Sequence, residues 1–524
     1  MGGLDENKTN CLRKGENMLA KRAWLKIMLI VAVVLPLAGM TGCGQDSGKT
    51  TAQKEKTVSF SRPEDLLNLD PHDHFLLSNW TVEKCIYDYL VDVDQNGKVI
   101  PSLATEWKSS PDGKEWTFTL RDGVKFHNGE TFDAEAVKVS LERLIKAQLR
   151  LAGIWPTLTG VTVVDPKTVV IKFSDPNSAV LSNLSLTAIL PPKAFKEQGT
   201  KLFEHAIGSG PFTFVEWQPK QRVVMKRFDG YWGKKANVDK IVYLPIFEDS
   251  TRIAGVKTGD IDVADTIPAD QAKAMASDAN VKVVRDLAWD QIYLMFKFGK
   301  PPFDDKRVRE AVSLALDRES IIKNIIDGGR PSTGLIPKGI FGFNEKLEPI
   351  KRDIERAKRL VKEAGRVGTK ITIIAPQGTY AKTNEVLQAI RSQIAETGLD
   401  VTFQLLDSGA FAEKRGAGNY DLFYVGGAQV GGNVDWFVGT RIVADAFKTG
   451  YKNPQLVEAW QRGRQAMDPT KRAEYFDQAV GIMNKEFAPM VFLHQMENIY
   501  LVRKEVTGVV FRGDKITDLR YANK

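Results

Sequence analysis

The sequence predicts an exported α/β protein built from more than one lobe, and three observations carry that reading. At 524 residues the chain is longer than one hydrophobic core usually serves, so two or three lobes are expected. Up to about Trp289 the pattern is rich in two-residue alternation and turn dipeptides; beyond it, strand-like and helix-like runs alternate, as in an α/β body with some parallel pairing. A basic run, Lys21-Arg22 with Lys26, precedes an apolar core from Ile27 to Ala38, and Thr41-Gly42 leads into Cys43, the build of an export signal ending at a lipid-modified cysteine.

The apolar core is shorter than the ~20 residues that span a bilayer. Residues 1–42 are therefore expected to be a signal peptide, with Met18 a candidate for the true start, and residues 43–57 a polar tether anchored through lipid on Cys43. A single anchoring helix is the competing reading. No later apolar run approaches spanning length, so the body is expected to fold in water, on the extracytoplasmic side: in a periplasm or at the outer face of the membrane. Charge excludes little except nucleic acid. The net +8 falls to +5 once the first 42 residues are set aside, and the excess is spread along the chain without a basic tract interleaved with aromatics. Of three cysteines, Cys11 precedes the candidate start and Cys43 is the lipid site, which leaves Cys85 without a disulfide partner, a small buried apolar residue.

Along the body, Trp116, Phe118 and Leu120 alternate with Thr117, Thr119 and Arg121 between Asp-Gly and Asn-Gly turns, which predicts a meander over Trp107–Phe126. Asp133 is placed to cap a helix carrying Val137, Leu141, Leu144 and Ile145. A hairpin follows at Val161–Val164 and Val169–Phe173, then strands at Phe212–Trp217, Val223–Phe228 and Ile241–Ile246. In the second half, Asp304 or Asp305 caps a helix with Val308, Val312 and Leu316 in line, and Asp317 caps the next, with Ile321, Ile322 and Ile325. Ile371–Ala375, a helix with Val386, Leu387, Ile390 and Ile394, a stop at Gly398, and Val401–Leu406 read as a βαβ unit. Leu422–Val425 is a buried strand running into Gly426-Gly427, and a helix over about Lys471–Glu486 precedes two last strands, Met490–Leu493 and Ile499–Val502.

Several segments then carry a resemblance. They are Leu103-Ala-Thr-Glu-Trp107, Asp112-Gly-Lys-Glu-Trp116 running on to His127-Asn-Gly129, Gly208-Ser-Gly-Pro-Phe212, Tyr231-Trp-Gly233, Thr258-Gly-Asp-Ile-Asp262 and Pro301-Pro-Phe303 with Arg307-Val-Arg309. Together, in this order over roughly residues 58–510, they resemble the extracytoplasmic solute-binding proteins of family 5, the substrate-binding proteins of ABC importers for peptides and nickel. The resemblance implies a two-lobed periplasmic-binding-protein fold of the class II type with an extra β-rich subdomain. Residues 58–90, 181–290 and 495–524 would form lobe I, 91–180 the extra subdomain and 291–494 lobe II. Strands crossing between lobes near 289–293 and 491–497 would form the hinge. It also implies a small-molecule or peptide ligand between the lobes, permease subunits as partners, a monomer, and no cofactor, metal or catalysis.

The ligand is less legible. Peptide-binding members place an Asp after the buried strand to pair with the peptide's amino group, because a buried ammonium needs an opposite charge. Here that position falls on Gln429 or Val430, and Asp435 is the nearest acid. A peptide-like or other small polar solute, a nickel chelate and an oligosaccharide all remain open. Candidate contacts are His74 and Phe75 (with His72 in the same loop), Trp155, Tyr293, Gln429, Asp435, Trp436 and His494; each histidine has an ordinary surface reading, and Trp155 an ordinary core reading, beside the functional one. Trp116, Gly129, Gly210 and Arg121, though the most recognisable residues, read as scaffold. The competing class is a lipid-anchored hydrolase, for which the chain shows no Gly-x-Ser-x-Gly elbow and no His-Glu-x-x-His, although isolated Ser, His and Asp can still meet in space.

Overall fold

The computed structural model describes residues 55–427, 429–432 and 434–524; the signal, Cys43 and most of the tether lie outside the described residues, as do the side chains of Trp436 and Thr440. No helix among the described residues is long and apolar enough to cross a membrane.

One large mixed sheet runs through the body. Its order is Asp400–Leu406, Lys370–Pro376, Leu422–Gly427, Val281–Phe296, Met490–Arg503, Val263–Ala264, Thr57–Arg62, Lys240–Pro245, Arg222–Arg227, Phe212–Gln218. At one end Lys370–Pro376 pairs parallel with both Asp400–Leu406 and Leu422–Gly427, joined to the former by the helix Thr383–Ala395, which is the expected βαβ unit. Gly398 turns the chain between them at φ +96°. At the other end Thr57–Arg62 lies parallel to Lys240–Pro245, and the chain then folds back antiparallel through Arg222–Arg227 and Phe212–Gln218.

Separate cores serve the two ends, and these are the lobes. In the first lobe Val58, Phe60, Met225, Ile241 and Tyr243 pack with Cys85, Ile86 and Tyr87 of the helix Leu77–Ile86 and the chain after it. In the second, Leu294, Ile371, Ile373, Leu422 and Tyr424 pack with Val308, Val312, Val386 and Ile390. A third core closes the small antiparallel sheet Ala104–Ser109, Glu115–Leu120, Thr168–Phe173, Leu158–Asp165 under the helix Ala134–Ala147. Asp133 caps that helix by accepting the N–H of Glu135 and Ala136, as the sequence predicts; Val137, Leu141 and Leu144 are buried, while Ile145 falls beyond the buried stripe and is 38% exposed.

Three expectations change in detail. The helix capped by Asp305 ends at Ala315, so Leu316 is its cap and not its last turn. The helix capped by Asp317 covers only Arg318–Ile321 before widening into a π turn at Ile322–Ile326. The two last strands are one, Met490–Arg503, because Gln495 to Asn498 keep pairing across the gap in the apolar pattern.

That strand pairs with Val281–Phe296 over almost its whole length. Residues 281–287 meet 497–503 in the first lobe, and 291–295 meet 490–495 in the second. The register breaks between Leu287 and Gln291 and again between Ile292 and Tyr293. Such bulges bend a ladder locally, here where the paired strands pass from one core to the other. Gln495 fills the break, its Nε2 donating to the carbonyls of Ala288 at 2.7 Å and Lys338 at 2.9 Å.

Candidate ligand cleft

The lobes meet along a seam of backbone and glycine contacts. Ser178 of the first lobe donates its N–H and its Oγ to the Arg464 carbonyl of the second, at 3.0 and 2.8 Å. Gly431, in the loop after the buried strand Leu422–Gly427, donates its N–H to Asp514 Oδ2 at 3.2 Å. A Cβ there would stand 3.0 Å from Leu186 Cδ1, and φ is +69°, so the position needs glycine on both counts. At the hinge break, the Trp289 indole lies within reach of four glycines: Gly97 and Gly513 of the first lobe, Gly339 and Gly432 of the second.

Between these contacts lies a cavity of about 240 Å³ with one wall from each lobe. Ile154, Asn177, Ala179 and Asn183 line one side, and Asp435, Trp460 and Arg464 the other. Local structure places them. Ile154 ends the short helical turn Arg150–Ile154, and Asn177 uses its Oδ1 to accept the N–H of Ala179, turning the chain into the helix Val180–Leu184. Trp460 and Arg464 are four residues apart on the helix Pro454–Gln465 and so share a face; the Arg464 guanidinium carbon lies 5.6 Å from the Trp460 ring centre. Asp435 sits in the first turn of the short helix Val434–Val438, 3.1 Å from Arg472 Nη2. Burial pushes its carboxyl above the usual range, against the pull of the Arg472 and Arg464 charges.

Of the residues singled out in sequence, Asp435 alone lines this cavity, and Trp155 stands beside it between Ile154 and Pro156, two of its lining residues. Trp155 is 3% exposed, donates its indole N–H to Thr187 Oγ1 at 3.1 Å and stacks on Phe173, so it supports the wall from behind. His74 is buried with both ring nitrogens engaged: Nδ1 accepts the Leu76 N–H at 3.2 Å, and Nε2 meets the Glu83 carboxylate. His72 is equally enclosed, donating from Nε2 to the Ala188 carbonyl while Arg143 donates to Nδ1. Phe75 is 39% exposed and packs edge-on against Trp80. Gln429 is buried and donates its amide to the Leu335 carbonyl at 3.1 Å, the acceptor that Gln291 also uses. Tyr293 accepts a hydrogen bond from Arg441 and meets the rings of Phe437 and Phe492 edge-on. His494 is buried on the crossing strand opposite Ile292. Trp436 lies on the Asp435 turn, with its side chain outside the described part. Nothing in the sequence singles out Asn177, Trp460 or Arg464: the first reads as a turn residue after Pro176, the others as ordinary positions of an amphipathic helix.

Comparison with known proteins agrees with this geometry. The family model described as bacterial extracellular solute-binding proteins, family 5 (middle) matches residues 98–443. The glutathione-binding protein GsiB of Salmonella paratyphi A is 30% identical over 457 residues, covering 84% of this chain and 89% of GsiB. Among solved structures, the periplasmic binding protein DppA of Helicobacter pylori in complex with the peptide STSA is 25% identical, with a TM-score of 0.75, over 90% of this chain and 99% of that one. AgaA of A. tumefaciens R10 in complex with agropinic acid is 28% identical, with a TM-score of 0.73, over 88% and 98%. These are two-lobed periplasmic binding proteins, as the sheet and paired cores here are. The chain thus belongs to family 5 of the bacterial extracellular solute-binding proteins, the extracytoplasmic binding components of ABC importers.

Proposed function

We propose that this protein is a lipid-anchored binding protein that captures a short peptide-like solute in the interlobe cavity and delivers it to the permease of an ABC importer. The lobes would be those read in sequence, 58–90 with 181–290 and 495–524 against 291–494, with 91–180 as the added subdomain. The observation that carries the reading is the two-sided cavity, with Asn177 and Ala179 on one wall and Asp435, Trp460 and Arg464 on the other. A solute touching both walls binds the closed arrangement better than the open one, and closure is the signal a permease reads. GsiB and the DppA complex point to short peptides, and glutathione is the first compound to try.

The direct experiment is mass spectrometry of the small molecule that copurifies with the protein, followed by thermal stabilisation on adding it back. At one hundred times Kd a ligand specific to the folded state adds roughly 2.7 kcal/mol. The expected result is a rise in melting temperature with the ligand recovered unchanged. Consumption of the ligand with release of product would make the protein a hydrolase instead. Anchoring is tested separately: Cys43→Ala should abolish incorporation of labelled lipid, and undiminished incorporation would refute it.

A further inference from the structure

We infer that Ser178 and Met467 form a latch across the seam, outside the cavity, that holds the second lobe against the turns of the small antiparallel sheet and sets how firmly the protein closes on any solute. The inference goes beyond the proposed function and does not depend on which solute fills the cavity.

One half of the latch is a helix end capped from the opposite lobe. The last carbonyls of an α-helix have no partner within it. In the helix Pro454–Gln465 the Ala466 N–H closes the final turn on the Arg462 carbonyl at 2.9 Å, and Ala466 then takes an extended backbone that carries the chain out of the helix. The Gly463 and Arg464 carbonyls need donors from elsewhere. Ser178 supplies them from the first lobe: besides its two bonds to the Arg464 carbonyl, its Oγ stands 3.4 Å from the carbonyl of Gly463. These carbonyls form the negative end of the helix dipole, which favours donors placed there. The chain at Ser178 is held in turn by its neighbour, because the Asn177 N–H donates to the Gly113 carbonyl at 3.4 Å.

The other half is apolar. Met467 lies in the turn that joins this helix to the helix Pro469–Glu486; it is half-buried and packs on the core of the small sheet rather than on that of its own lobe. Gly113, in the hairpin turn between Ala104–Ser109 and Glu115–Leu120, lets it approach. A Cβ there would stand 3.0 Å from Met467 Sδ and 3.1 Å from Pro176 Cβ, and φ is +67°, a conformation open to glycine. Gly113, Pro176 and Ser178 all hang from the strands of the small sheet, so that sheet provides the face on which this part of the second lobe seats. Neither Ser178 nor Met467 lines the cavity. Their contacts therefore favour the closed arrangement to the same extent whatever the solute, and tune affinity without touching it.

The test compares Ser178→Ala, Met467→Ala and Met467→Leu with the wild-type mature protein, by small-angle scattering and by amide exchange at residue 178 read by mass spectrometry. Losing the hydroxyl bond or the half-buried thioether should raise the exchange rate at residue 178 about five- to tenfold and enlarge the radius of gyration. Amides inside the helix Pro454–Gln465 should stay as protected as before. Met467→Leu, similar in volume, should return both readouts towards wild type. Unchanged exchange and radius in both alanine variants overturns the latch. So does a lower melting temperature with an unchanged radius, or faster exchange throughout that helix, since either assigns the two side chains to folding of the second lobe and not to closure.

Discussion

Gly513→Ala is the substitution with the largest expected effect on lobe closure, because its added methyl has nowhere to go. Gly513 lies outside the left-handed region, so alanine suits its backbone and only the side chain is tested. An ideal Cβ there stands 2.2 Å from Trp289 Nε1 and 2.4 Å from Cδ1, where real contacts stay above 3.0 Å, so the indole must retreat by about 0.8 Å. Room to retreat is small, because the backbone also passes close to the ring at Gly97 and Gly339, where a Cβ would stand 3.1 Å from its far edge and 2.7 Å from Nε1. Trp289 is 3% exposed and its N–H is bonded to the Gly513 carbonyl at 2.6 Å, so chain segments of both lobes have to separate. Overpacking of this kind costs about 1–3 kcal/mol. Trp289 and Gly513 share one lobe, whereas Gly339 and Gly432 beside the ring belong to the other, so opening gives the indole room to move off the new methyl and the cost falls on the closed form. Apparent affinity should then drop about five- to 150-fold. Calorimetric titration with the copurifying solute measures that, and small-angle scattering should show a larger radius of gyration than in the Gly160→Ala control, where a Cβ meets nothing within 4 Å. Adding Trp289→Phe to Gly513→Ala should recover part of the loss through coupling of the two sites. Unchanged affinity and radius in Gly513→Ala would sink the argument; a lower melting temperature with unchanged affinity would show that the strain falls on folding and not on closure.

Other outcomes follow from the buried charges and the seam. Lys84 is fully buried, drawn down to about 8 mainly by burial, with Asp92 at 2.7 Å as its carboxylate partner; Asp92→Asn should cost about 3–5 kcal/mol in denaturant unfolding, and Lys84→Met clearly less because Asp92 keeps Arg520 at 2.6 Å. Equal losses for the two variants would contradict this. His72 and His494 are both pushed down to about 4, by burial in each case and by the neighbouring Arg143 charge for His72. Since the unfolded chain takes up these protons near 6.5, the stability they contribute is complete above that pH and is lost as pH falls from about 6.5 to about 4, on the order of 3 kcal/mol each. Melting temperatures across that window should fall steeply in the wild type and less so in His494→Leu, and parallel curves would argue against it. Val430 packs against the core of the small antiparallel sheet, so Val430→Asp should weaken closure without gaining affinity for free-amine peptides over acetylated ones. A gain selective for free amines in that titration would mean the loop does present this position to the ligand.

Much of the fold was legible in the sequence because its signals are local. Asp133, Asp305 and Asp317 cap helices by the side-chain bonds their positions predict, and the strand-helix-strand pattern around Val386 and Ile390 closes as a parallel pair. In sequence the single strand Met490–Arg503 reads as two because Gln495, Glu497 and Asn498 break the apolar run. Their reason for being there is tertiary: Gln495 bonds carbonyls at the hinge break, and Glu497 pairs with Arg285 at 2.7 Å on the neighbouring strand. The cavity is less legible for the same reason. Asp435 stands out in sequence as the acid nearest the position the family resemblance calls for, at Gln429 or Val430, whereas the other wall residues come from a turn at Asn177 and from one helix face at Trp460 and Arg464, 283 to 287 residues further along the chain. No pattern within a window of sequence joins them.

The loop after the buried strand shows what replaced the missing charge. Gln429 turns its amide to the Leu335 carbonyl inside its own lobe, Val430 packs on the core of the opposite one, and Gly431 donates to Asp514 there. An acid in that segment would have had to bury its charge in an apolar surface, at a cost only a ligand ammonium would offset. Gln429-Val430-Gly431 instead joins lobe to lobe through contacts of its own. Contacts between the lobes that the protein itself supplies favour the closed arrangement, and they leave the solute less of the work of closing the cleft.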